Sequence, residues 1–220
     1  MTRYLKALGL AMMAAFAFSA VAAAGASAQQ GVLTSDGPVT LLVKQNVQGN
    51  NAFTSFGSEW VCPGSEYTGH KVDVTDPKQP LQGGETEVTI TPHYKNCGNG
   101  SGAARTVHMN SCDYEFYDFT TAGGVAGTYS LLSRVQCDEA GDAIEITGTA
   151  FCPVKVPAQE GLTGLHATNE GNKIRISGEI HNETTTHCVA GHSNSARQHL
   201  DVTVEGLDEL GETTAISITH

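Results

Sequence analysis

Apolar and polar residues alternate along most of the chain, the two-residue period of a strand with one buried side. Val88 and Ile90 share a side with Thr86, while Glu85, Glu87 and Thr89 share the other. Ile174, Ile176 and Ile180 alternate in the same way with Lys173, Arg175 and Glu179, and Leu200, Val202 and Val204 with Asp201, Thr203 and Glu205. Shorter runs repeat the pattern at residues 39–44, 71–74, 144–146, 154–156 and 216–218, and Val107 and Met109 flank an outward His108. Breaks rich in Gly, Pro, Asn and Asp separate these runs, so the chain reads as about ten to twelve short strands. Residues 158–172, with Leu162 and Leu165 three apart, are the one stretch where a short helical turn fits. The expected fold is all-β: an antiparallel β-sandwich with Greek-key or hairpin connections and one solvated side per sheet.

The most informative stretch runs from Cys112 to Cys137. Two strand-like arms flank the turn Ala122-Gly123-Gly124-Val125-Ala126-Gly127, and a tip at Gly124 and Val125 pairs residues whose numbers sum to 249. Cys112 and Cys137 satisfy that sum, which sets them opposite one another at the open end of a hairpin, within disulfide reach. Within the first arm the pattern slips. Tyr114 and Phe116 fall on one side and Tyr117 and Phe119 on the other, which predicts a β-bulge or a strand passing between sheets.

The N-terminus has the three parts of a secretory signal. Arg3 and Lys6 precede an Ala-rich apolar run, and Ala26-Ser27-Ala28 is a small-x-small cleavage site, so cleavage is expected after Ala28. Removing residues 1–28 leaves ten basic against 23 acidic residues, because that segment holds two basic and no acidic side chains. Such an acidic chain disfavours nucleic acid and anionic lipid, and no membrane insertion is expected after signal removal. Residues 29–220 read as one domain, with 29–57 as a polar N-terminal arm around a single strand.

Six cysteines behind a signal peptide predict an oxidised framework. The simplest pairing joins Cys62 with Cys97, Cys112 with Cys137 and Cys152 with Cys188. The competitor joins Cys97 with Cys112, Cys137 with Cys152 and Cys62 with Cys188, on the strength of a repeated spacing. Trp60, the one tryptophan, sits beside Cys62 and reads as core.

Candidate chemistry is sparse. His181, His187, His192 and His199 fall within nineteen residues, and a sum-of-380 hairpin would set His181 across from His199 at the mouth of a loop carrying the other two. Three or four imidazoles suit zinc, although no named zinc signature is present. The segment Asp138-Glu139-Ala140-Gly141-Asp142 reads as a solvated acidic hairpin turn lacking the ligand series of a calcium loop. Asp113, Glu115 and Asp118 lie among aromatics, but a chain this poor in rings gives little support to a sugar cleft. No G-x-S-x-G occurs, Gly191-His192-Ser193-Asn194-Ser195 being the nearest approach.

Around GSEYTGHK, VTITPHYKNC, VHMNSCDYEF and CPVKVPAQ the chain resembles an uncharacterised family of secreted bacterial β-rich proteins. The resemblance implies an extracellular β fold and carries over no activity, substrate or site residue. The reading is therefore a secreted, extracellular, non-enzymatic binding or surface-structural module with an extracellular or cell-surface partner. A divalent-metal-binding protein and an extracellular hydrolase are the alternatives.

Overall fold

Sheet closure, which alternation alone does not report, organises the molecule. A computed structural model of the chain describes residues 30–35, 39–46, 51–55, 58–69, 88–99, 103–123, 125–148, 153–186, 195–208 and 210–219. In chain order the strands are β1 (Gln30–Ser35), β2 (Thr40–Gln45), β3 (Ala52–Ser55), β4 (Ser58–Val61), β5 (Glu66–Gly69) and β6 (Val88–His93). Next come β7 (Cys97–Gly98), β8 (Ala104–His108), β9 (Cys112–Thr121), β10 (Thr128–Cys137), β11 (Ala143–Thr147) and β12 (Val154–Pro157). The last are β13 (Gln159–Glu170), β14 (Lys173–Glu183), β15 (Thr185–Thr186), β16 (Ser195–Leu207), β17 (Thr213–Thr214) and β18 (Ile216–Thr219).

The expected sandwich is corrected to a barrel. Hydrogen-bonded neighbours run β9, β10, β13, β14, β16, β2, β5, β6 and back to β9, a closed antiparallel circuit of eight strands. A sandwich and a closed barrel demand the same in-out alternation from each strand. They differ only in whether the outermost strands find one another. Here β2, β5 and β6 complete the wall, so Thr40–Gln45, within the expected N-terminal arm, is one of its staves.

Inside lie Tyr114, Phe116, Phe119, Leu131, Val135, Leu165, Ile176, Val202 and their neighbours, a continuous apolar core. Fully burying one such large side chain contributes roughly 1.5–3 kcal/mol. A ribbon of β1 paired with β18 packs Leu33, Ile216 and Ile218 against one end of this core. Asn169 holds the ribbon down by exchanging two hydrogen bonds with Ile218: its Nδ2 donates to the carbonyl at 2.8 Å, and its Oδ1 accepts from the amide at 2.9 Å.

At the other end the pairings make a second circuit. The first residues of β16 pair with β3, which pairs in turn through β4, β7, β8, β11 and β12 to β15. β15 continues β14, whose end pairs with β16 again, closing the ring. Phe53, Trp60, Ile146 and Val154 form its smaller core, with Tyr94 and Val107 packed against them. The acidic segment 138–142 is not a hairpin turn. It carries the chain out of the barrel strand β10 into β11, whose partners are β8 and β12.

The Cys62–Cys97 and Cys112–Cys137 disulfides are present, each joining α-carbons 4.0 Å apart. Cys152, Cys188 and the cleavage position Ala28 lie outside the described residues. In the β9–β10 hairpin Cys112 faces Cys137 and Phe116 faces Ser133, while nearer the tip Thr120 faces Ser130. The extra residue sits at Asp118, whose φ is +54°. This bulge turns Phe119 back to the same interior as Tyr114 and Phe116 and leaves Tyr117 outside, where Arg134 lies 5.4 Å over its ring.

No helical turn occupies residues 159–170. Leu131, Ser133 and Val135 face Leu165, Leu162 and Gln159, so each two-residue step on β10 spans three on β13 and the Leu spacing records bulges in a strand. Gly164 and Gly178 let β13 and β14 touch there. Their φ angles are +105° and +142°, and a Cβ on either would stand 2.1 Å from a carbonyl oxygen of the facing strand. Gln159 clamps the far end, exchanging two bonds with the backbone of Glu183 at 3.2 and 2.8 Å.

Candidate functional site

The wall of the barrel opens between β2 and β5. These strands pair at Leu42 with Thr68 and at Val43 with Tyr67, and among the described residues their mutual pairing stops there. β2 is held on its other side, where Lys44 and Gln45 continue to pair with β16 and the Asn46 amide donates to the Asp201 carbonyl at 3.1 Å. On the facing side Pro63 has no N–H to offer. The following turn bonds to the segment after β6 and to itself, with Gly64 N donating to Lys95 O at 3.3 Å and Ser65 Oγ to Cys62 O at 2.8 Å. The wall rejoins where Cys62 N donates to Asn51 O at 3.0 Å.

The resulting groove, about 660 Å³, is walled by residues 42–45, residues 63–67 and His93. Its rim carries both signs. Lys44 donates to Glu205 at 2.7 Å, and Glu66 accepts from Lys95 at 2.7 Å, a hydrogen bond that holds the Glu66 carboxyl below its ordinary range. His93 faces Glu66 across the β5–β6 pair.

Behind the groove lies a polar seam between the two cores. Tyr67, which lines the groove, accepts a hydrogen bond from buried Asn51 and meets Tyr94 edge to face at 6.4 Å. Gln198 sits at the centre. Its Oε1 accepts from Tyr114 Oη at 2.6 Å and from Asn182 Nδ2 at 3.5 Å, while its Nε2 donates to Tyr94 Oη at 2.8 Å. Burial away from water pushes the Tyr67, Tyr94 and Tyr114 hydroxyls well above their ordinary pKa, so all three are neutral hydrogen-bonding groups at physiological pH.

The histidines fall elsewhere, on the outer face of β14 and β16. Residues of these strands pair by a sum of 378, not 380, with Ile176 facing Val202 and Gly178 facing Leu200. His181 therefore faces Arg197, and His199 faces Glu179. His181 Nε2 lies 3.1 Å from Glu179 Oε1, which is also 3.8 Å from Arg197 Nη1. His187 and His192 lie outside the described residues. Among the described residues no three His, Cys, Asp or Glu side chains converge as a metal site requires.

The three carboxylates near the aromatics have separate partners. Asp113 accepts from Thr91 Oγ1 at 2.5 Å, buried Glu115 pairs with Arg134, and Asp118 accepts from Gln30 at 3.3 Å. Sequence reasoning missed the groove and the seam. The Pro63-Gly64 turn marked the first, and inward-phased Gln198, between Ala196 and Leu200 on an otherwise apolar side, marked the second.

The chain matches no protein-family model, no curated protein and no solved structure. Among the described residues no helix is long and apolar enough to cross a membrane, and the two disulfides are compatible with an extracellular location.

Proposed function

We propose that this chain is a secreted, non-enzymatic binding module that recognises an extracellular or cell-surface partner through the groove in its wall. The observation that carries this reading is the interruption of β2–β5 pairing: strand-edge backbone, His93 and a rim of both charges border one concavity. That mixture of donors and acceptors suits a polar ligand group better than an apolar one. The interior itself is filled by side chains, so recognition belongs to the wall and not to a lumen.

Nuclear magnetic resonance of the mature, oxidised protein tests the reading. Short peptides and saccharides representing envelope components are added in turn. Shifts confined to residues 42–45, 63–67 and 93, weakened in His93→Ala, are expected from the partner's chemistry. A ligand whose shifts map to another face, or one that the protein turns over, would overturn the assignment.

A further inference from the structure

Three arginines on the described strands have carboxylate partners: Arg134 meets Glu115, Arg175 meets Asp201 and Arg197 meets Glu179. Arg105 differs. Among the described residues no carboxylate lies within ion-pair reach of it, and its Nε–H is buried without an acceptor. In a chain with 12 basic and 23 acidic residues, this is not for want of carboxylates.

Arg105 lies on β8 two residues before Val107, whose side chain packs into the smaller core, so both point into the second circuit. It stands one residue beyond the β8–β11 ladder, which ends with Thr106 facing Thr147. Its guanidinium carbon is 5.1 Å over the ring of buried Trp60, a cation–π stack. The other side chains of that core, Phe53, Ile146 and Val154, carry no charge. One disulfide ties both members of the stack, because Trp60 is two residues from Cys62 and Arg105 faces Cys97 across β7 and β8. The guanidinium is therefore oriented before any ligand arrives.

Stacking occupies the face of a guanidinium and leaves its edge, where the five N–H donors lie in one plane. Arg105 is half-buried, and Nε alone among its nitrogens is both buried and unpaired, so the terminal nitrogens reach solvent. Their parallel N–H bonds have the geometry that the two oxygens of a carboxylate meet. Apolar neighbours screen such a pair less than water does. Charge selects the class: one guanidinium among uncharged side chains matches a single negative charge better than the two of a phosphate.

We propose that Arg105, held on Trp60 at the end of the β8–β11 ladder, binds a carboxylate group of a ligand. None of these residues lines the β2–β5 groove, so the inference does not rest on what that groove recognises.

Trp60 is the one tryptophan of the chain, and its emission reports on the site without a label. Sodium acetate is titrated into the mature, oxidised protein at neutral pH and constant ionic strength, with acetamide as neutral isostere and sodium chloride as salt control. The Arg105 Nε–H resonance is followed alongside. A saturable change in both signals with acetate is expected, with a dissociation constant at least about tenfold below those for acetamide and chloride. Arg105→Met keeps an unbranched side chain over the ring and removes the charge, so it should lose the acetate response while its amide spectrum stays dispersed. The proposal is overturned by no saturable response in the folded wild-type protein, or by an equal response to acetamide or chloride. Tighter binding of inorganic phosphate than of acetate, or a response kept in folded Arg105→Met, overturns it as well. If that variant does not fold, the wild-type titrations decide alone, because acetamide matches acetate in shape and lacks its charge.

Discussion

Strand β16 passes through both closed sheets, and its side chains differ between them. Leu200, Val202 and Val204 enter the eight-stranded barrel, whereas Gln198 enters the region where the second circuit begins. In the barrel, β9, β10, β13 and β14 each run ten residues or more, so long ladders and an apolar face close the sheet together. The second circuit is made of pieces as short as β7 and β15, two residues each. Such fragments bring few backbone bonds, and the Cys62–Cys97 bridge and the directed bonds of Gln198 supply what length does not. The comparison teaches that a non-directional core suffices where strands are long, whereas a covalent tie and specific hydrogen bonds set the geometry where they are short.

The sharpest attempt to break this contrast is at the centre of the barrel. Phe116→Ala removes a fully buried ring and is expected to cost about 3–5 kcal/mol, read as a lower urea midpoint with amide protection lost across both circuits. Replacing Cys62 and Cys97 together by Ser is expected to cost about 2–4 kcal/mol. Its signature is regional: hydrogen exchange should rise in β3, β4, β7 and β8 while β9, β10 and β13 stay protected. Protection falling evenly would mean that the two circuits unfold as one unit.

Gln198→Ala strands Tyr114 and Tyr94 in the seam and is expected to cost about 1–3 kcal/mol, again measured by urea unfolding, with Tyr ring signals near Tyr94 broadened. The smallest effect belongs to the outer face. Hydrogen bonds from Lys173 and Lys44 hold the Glu205 carboxyl below its ordinary value of 4.5. Its contribution is therefore complete above the unfolded pKa and is lost as pH falls through the folded one. Stability should decline on acidification below about pH 4.5, and Glu205→Gln should flatten that part of the profile by lowering the neutral-pH midpoint modestly toward the acid one.

Much of this architecture was legible in strand-level patterns. The residues expected to point inward at Val88, Ile90, Ile174, Ile176, Val202 and Ile218 are buried, because period-two alternation is imposed by the pleat whatever the sheet does next. The Cys112 to Cys137 register was readable from a glycine turn placed midway. Closure was not, since no single strand encodes which distant strand lies beside it. The His181 register lies two from the expected sum because alternation repeats every two residues and is equally satisfied by sums of 378 and 380. Bulges hid β13: an extra residue makes a three-residue Leu spacing in a strand look helical. The seam escaped because a single inward Gln resembles noise until its partners, Tyr94 just after β6, Tyr114 of β9 and Asn182 of β14, are brought around it.

Asn169 and Gln159 have a consequence beyond holding two ends of one strand. Each carboxamide meets a backbone residue as another strand would, giving and taking one bond at Ile218 and at Glu183. An open sheet edge is a template on which a second copy can crystallise as a further strand. At these two places the template is already filled by an amide that has no next residue, so growth terminates after a single rung. The two side chains thus act as chain terminators of the sheet at Ile218 and Glu183, offering no further backbone there for a strand to extend.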